Sequence, residues 1–157
     1  MTTSSEKQDI LGTSSDVELA TFYVADLLLG ISIREVEEIS RSCAVTPVPG
    51  APESVCGVMS LRGEVVTVLD LRVVLGLGKT ERTRQTRNVI VHAAGERIGL
   101  LVDRVADVVR AARTDLLPPP ANMSGADSAM FQAVYRMESE LLLLVDVAAI
   151  LAVPAAT

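Results

Sequence analysis

The sequence predicts a mainly β protein made of two similar small β-barrels packed together, with short helices. Four observations carry this expectation. The chain is 49% hydrophobic yet has only two Phe, two Tyr and no Trp, so its core must be built from Val, Leu, Ile and Ala. The β-branched residues cluster in short runs, as strands prefer. Turn signals such as Arg62-Gly63 and Gly95-Glu96 separate those runs. The chain also repeats itself. A shift of 69 places Gly30 on Gly99, Val36 on Val105 and Glu38 on Asp107; a shift of 76 places Val58 on Val134, Glu64 on Glu140, Asp70 on Asp146 and Leu75 on Leu151. The offset changes within the Pro-rich stretch Leu117 to Gly125, where an insertion is well tolerated. The two halves, 17–77 and 88–153, are each too small to be very stable alone.

Taken in order, residues 1–15 are rich in Ser, Thr and charge and read as a disordered tail ahead of a domain spanning 16–153. Leu19 to Val24 reads as a strand and Gly30 to Ile33 as its hairpin partner, with Ala25 to Leu29 between them. Leu27 and Leu28 in that tip would form an exposed apolar patch facing a partner. Arg34 to Ser40 suits a short helical turn or a bent strand end, because Val36 and Ile39 fall on one face and Glu35 and Glu38 on another. Thr46 to Pro52 holds three prolines, which remove donors and fix φ, so it is a stiff connector.

Val55 to Leu61 and Val65 to Leu71 read as strands joined at Arg62-Gly63-Glu64, with an amphipathic segment running on to Gly76. Gly78 to Arg87 is a polar, basic connector that divides the chain. Asn88 to Ala93, Arg97 to Val102 and Val105 to Val109 follow as strands. Met130 to Met137 and Leu141 to Val147 form the last hairpin, and Ala148 to Val153 a short apolar helix.

Several function classes drop out. A net charge of −6 repels phosphate backbones, and the scarcity of aromatics leaves no stacking platform, so nucleic acid is not a partner. The start MTTSSEKQD has neither a basic region nor an apolar run, so a cytoplasmic location is expected, with Cys43 and Cys56 as reduced thiols. Leu141 to Ala156 is shorter than the ~20 residues of a spanning helix and carries Asp146 and Pro154, so direct membrane insertion is not expected.

No catalytic, metal or cofactor site is expected either. His92 is the sole histidine and reads as a packed strand residue. The three Cys and His candidates for zinc are scattered. Gly78-Lys79-Thr80 has Val73 where a phosphate-binding loop needs glycine. Glu37 and Glu38 read as a solvated face, and Asp70 and Asp146 as helix caps. What remains is the Arg62-Gly63 turn beside a Val/Glu face, the mark of an interaction module. The rival, a small-ligand-binding or enzymatic β-barrel, would need a convergent polar cluster lining a pocket.

The motifs Gly30-Ile31, Val36-Glu37-Glu38-Ile39, Pro47-Val48-Pro49, Gly57-Val58, Leu61-Arg62-Gly63 and Val68-Leu69-Asp70-Leu71-Arg72 stand in one order along the chain. Gly99-Leu100-Leu101-Val102-Asp103 and Val105-Ala106-Asp107-Val108 continue it. In this order and spacing the chain resembles the CheW coupling proteins of bacterial chemotaxis, over roughly Glu18 to Val153. The resemblance implies two intertwined five-stranded SH3-like barrels and a scaffold without catalysis or cofactor. It implies a cytoplasmic adaptor, recruited to membrane-associated arrays, that joins the cytoplasmic tip of chemoreceptors to the regulatory domain of a CheA-type histidine kinase. By position it places Ile33, Val36, Glu38, Arg62 and Gly63 at a receptor-binding groove, with Glu38 and Arg62 as an ion pair. Leu27 to Leu29 depart from the family's usual polar residues at the first hairpin.

Overall fold

The computed structural model describes residues 16–41, 44–120 and 128–152. The expected tail, Cys43 and most of the Pro-rich stretch after Leu117 lie outside or run beyond the described residues. The first half forms strands β1 (Asp16–Val24), β2 (Leu27–Ser32), β3 (Val36–Ser40), β4 (Val55–Leu61) and β5 (Glu64–Asp70), then helix α1 (Leu71–Val74). The second half forms β6 (Arg87–Ala93), β7 (Glu96–Val102), β8 (Arg104–Val105), β9 (Val109–Ala112), β10 (Leu116–Leu117), β11 (Phe131–Arg136), β12 (Leu141–Val145) and helix α2 (Val147–Ala152).

Neither sheet belongs to one half. One sheet runs β10-β11-β12-β2-β1-β8, with β9 also on β1; the other runs β3-β6-β7-β5-β4. The junctions between halves are parallel pairs. Leu143 lies opposite Leu29 and Leu144 opposite Gly30, while Thr67 lies opposite Ile98 and Val68 opposite Gly99. The same two sequence shifts that expose the repeat carry one junction onto the other, register included. The fold therefore has an internal pseudo-two-fold in which each half gives its opening hairpin to one sheet and its closing hairpin to the other.

Both sheets curl on themselves. After β3 pairs with β6, Thr46 forms a bridge to Val58 of β4, at the opposite edge of that sheet. In the other sheet β9 pairs with β1, and after a 3-10 turn, Arg113–Asp115, β10 pairs with β11 at the far edge. One of the two sheets has the five strands expected; the other counts seven because this bent segment is broken into separate pieces. Gly57 explains how close the approach at Thr46 is: its φ is +148°, and a Cβ there would collide with the Thr46 carbonyl oxygen.

Among the described residues the interior holds three apolar clusters. Leu19, Leu28, Ala111, Leu142 and Leu144 pack inside the first sheet, and Met59, Leu61, Val66, Val68, Ile90 and Leu101 inside the second. The largest cluster takes residues from both, among them Phe22, Leu29, Leu69, Leu100, Leu143 and Ile150. Strands β2 and β12 thus bury both faces, which accounts for the contiguous leucines of LLLGIS and LLLLV.

This corrects the reading of Leu27 and Leu28 as an exposed hairpin tip. The turn is only Ala25-Asp26, with Ala25 at φ 54°, and β2 begins at Leu27. Leu28 is buried among Leu19 and Leu142, and Leu27 packs partly buried against the central cluster. Because β2 lies between β1 and β12, a polar residue there would face apolar neighbours. Arg34 to Ser40 resolves as the strand alternative, with an irregularity between Val36 and Glu38. We expect Leu28→Ala to cost about 2–5 kcal/mol in denaturant unfolding, the range for a buried leucine, whereas a surface patch residue would cost almost nothing.

Candidate functional site

The reversal between β4 and β5 is a two-residue turn, with Leu61 paired to Glu64 and both intervening residues left-handed: Arg62 at φ 51° and Gly63 at φ 85°. Two successive positive φ values match a type I′ turn, whose twist suits adjoining strands and whose second position favours glycine. The turn projects Arg62 across the seam of the curled sheet toward β3. Its Nη2 lies 2.5 Å from Glu38 Oε1, and its Nη1 lies 3.4 Å from Glu37 Oε2.

The charges continue. Arg97 Nε lies 2.9 Å from Glu37 Oε1, and Arg97 also pairs with Glu64. On β7, Arg97 shares a face with Gly99 and Leu101, and on β5 Glu64 shares one with Val66 and Val68. Leu101, Val66 and Val68 belong to the apolar interior of this sheet, so the network Glu38–Arg62–Glu37–Arg97–Glu64 covers one end of the barrel.

Of the residues expected at a groove, Glu38, Arg62 and Gly63 meet here. Val36 opens β3 and packs against the central cluster, and its N–H donates to Ile33 O at 3.3 Å, which continues the surface to a partly exposed Ile33. Leu27 and Leu28 do not join it. Sequence reasoning read Glu37 only as part of a solvated face and passed over Arg97 and Glu64. The available signal was opposite charge beside two reversing turns, Gly63-Glu64 and Gly95-Glu96-Arg97, but nothing in the sequence brings those turns together.

A second polar hub ties the two sheets. The Ala25 N–H donates to Asp103 Oδ2 at 2.6 Å, and Arg72 Nε and Nη2 each lie 3.0 Å from the same oxygen. Asp103 sits where the chain leaves β7 for β8, and so passes from one sheet to the other. The Tyr23 hydroxyl donates to Glu140 at 2.8 Å, which pushes the phenol above its usual range, and Arg104 stacks on the Tyr23 ring at 3.9 Å. Asp70 and Asp146 are the helix caps expected: Asp70 accepts from Arg72 N–H at 3.1 Å, and Asp146 from Ala149 N–H at 3.2 Å. His92 lies on a strand, β6, but its side chain is exposed rather than packed.

Among the described residues no group of three His, Cys, Asp or Glu is placed to hold a metal ion. No helix among them is long and apolar enough to cross a membrane.

The family model for the CheW-like domain matches residues 18–155. The chain belongs to the CheW-like family. It is 31% identical over 134 residues to the chemotaxis protein CheW of Rhizobium meliloti, covering 85% of this chain and 86% of that one. It is 36% identical over 112 residues to the protein FrzA of Myxococcus xanthus, covering 71% and 68%. Among solved structures it is similar to the scaffolding protein TtCheW of Thermoanaerobacter tengcongensis, with a TM-score of 0.78 at 28% identity over 83% of this chain and 88% of that one. Family members are non-catalytic scaffolds of chemotaxis signalling, and this chain is a coupling protein of that kind.

Two outcomes follow from the geometry. The Arg62 side chain is 66% exposed, so its ion pairs are weakly stabilising. Arg62→Ala should lower unfolding free energy by only ~0–1 kcal/mol in urea melts. Glu35 behaves differently: partial burial, then the charge of Asp146, raises its carboxyl above the ordinary 4.5, opposed by His92. A raised acid makes the folded state hold its proton more tightly than the unfolded one, so stability is lost as pH rises through the window above 4.5. Glu35→Gln should therefore raise the thermal midpoint at pH 7, and the advantage should vanish below pH 4.5.

Proposed function

We propose that the protein couples the cytoplasmic tip of transmembrane chemoreceptors to the regulatory domain of a CheA-type histidine kinase, as a cytoplasmic adaptor recruited to receptor arrays. One observation carries the two-sided reading. Six of the seven large hydrophobic side chains exposed among the described residues fall into three repeat-equivalent pairs: Ile39 with Val108, Val48 with Leu117, and Val65 with Leu141. Each half therefore presents the same apolar positions to solvent. Exposed apolar side chains in both halves offer each half a surface on which a partner can dock. A partner that is itself a double barrel, as the resemblance implies for the kinase domain, is matched by such a doubled surface.

The receptor side is the surface of Ile33, Val36, Glu38, Arg62 and Gly63. It offers an apolar strip next to a largely exposed guanidinium, a combination that suits a helical receptor tip carrying both apolar and acidic positions. Holding receptor and kinase on one rigid platform raises their effective concentration without chemistry at the platform.

In reconstituted assays, autophosphorylation of the kinase in the presence of receptor should rise when this protein is added; indifference to the addition would sink the adaptor reading. Arg62→Ala should weaken receptor-fragment binding about tenfold or more while changing kinase-domain binding much less, as expected where hot-spot arginines sit in one interface only. Val65→Asp and Leu141→Asp should do the reverse. Equal losses on both sides would remove the assignment of surfaces.

A further inference from the structure

We infer that Arg97 is a positioning residue for the receptor surface: by occupying Glu37 it leaves Arg62 directed at Glu38. The inference rests on the reading of the Arg62 turn as a receptor contact, and it concerns a residue outside that surface. Arg62 stands between two adjacent carboxylates and could pair with either. It lies 2.5 Å from Glu38 and 3.4 Å from Glu37, so the closer partner is Glu38. Yet Glu37 is the more shielded carboxylate, at 22% exposure against 28% for Glu38. Lower exposure to water strengthens an ion pair, so Glu37 alone would be at least as strong a competitor for the guanidinium.

The difference between the two glutamates is Arg97. Glu37 offers one oxygen to Arg62 and the other to Arg97 Nε at 2.9 Å, and Arg97 is anchored from its other side by Glu64. Arg97 is also less exposed than Arg62, at 35% against 66%, and it stands on a strand rather than in a turn. An arginine already held by two carboxylates loses little further side-chain entropy in keeping Glu37 engaged. With Glu37 neutralised from below, the favourable partner left for Arg62 is Glu38. Without Arg97, Glu37 draws Arg62 inward over the barrel end, and Glu38 is released to present a bare carboxylate at the surface.

The test combines binding with a measurement on the unbound protein. Affinity for a receptor cytoplasmic-tip fragment is measured by calorimetry for the wild type, Arg97→Ala, Glu37→Gln and the double variant, with thermal melts to confirm folding. In parallel, 15N relaxation of the Arg62 Nε–Hε group reports how that side chain is held. Arg97→Ala should weaken binding about fivefold, on the scale of one surface ion pair, and should change the Arg62 relaxation. Glu37→Gln should have less than about a twofold effect, and should abolish the effect of Arg97→Ala in the double variant, since the competitor is then gone. Arg97→Lys, which keeps a cation on Glu37, should retain binding. Additive losses in the double variant, or unchanged Arg62 relaxation in Arg97→Ala, would overturn the inference. If Arg62→Ala itself leaves receptor binding intact, the receptor surface is elsewhere, and the relaxation data still decide whether Arg97 positions Arg62.

Discussion

The structure depends on the two parallel junctions, β2 against β12 and β7 against β5, through which each half of the chain completes the other's sheet. Parallel strands cannot be joined by a tight turn, so their partners must come from distant sequence. The repeat supplies them from the other half. As a result no sheet is finished until both halves are present, and the largest apolar cluster lies between the sheets rather than inside either. Both faces of β2 and β12 are buried, and their long leucine runs follow from that position.

Such an arrangement suits a scaffold. A protein whose task is to hold two partners at fixed separation gains from a core that couples its two lobes. Here the coupling is reinforced at the surface by Asp103, which binds the β1–β2 turn and Arg72 at the point where the chain crosses between sheets. Beyond this core lie the barrel ends. At one of them the interior apolar residues give way to five alternating charges supplied by β3, the β4–β5 turn, β5 and β7. Individually these pairs add little to stability, but they set which charged atoms face outward.

Much of this was legible in the sequence. Strand content, the Arg62-Gly63 reversal, the caps at Asp70 and Asp146 and the repeat all rest on local patterns: β-branched runs, glycine beside a turn, and carboxylates ahead of short apolar helices. The misreading at Leu27 and Leu28 has a definite physical source. Hairpin tips are usually polar, and with Gly30 taken as the start of the second strand the leucines were left in the loop. Burial on both faces by strands remote in sequence was the missing fact, and no local pattern reports it. The ion pairing of Glu37, Arg97 and Glu64 was missed for a related reason: charged residues beside turns are common and usually solvated, and only their meeting across the barrel end distinguishes these.

The sequence by itself determined most of the strands and their equivalence between halves, because strand propensity, turn chemistry and capping act over a few neighbouring residues. It also placed a cation at the tip of one reversal. Which strand pairs with which, and so which faces are inside, was decided only by the tertiary structure. Register within a sheet is set by burial against partners far along the chain, and a repeat whose halves are alike allows strands to pair within a half or between halves with the same local preferences. The choice between those pairings is made by the shared core, which forms only when the opening hairpin of each half lies against the closing hairpin of the other.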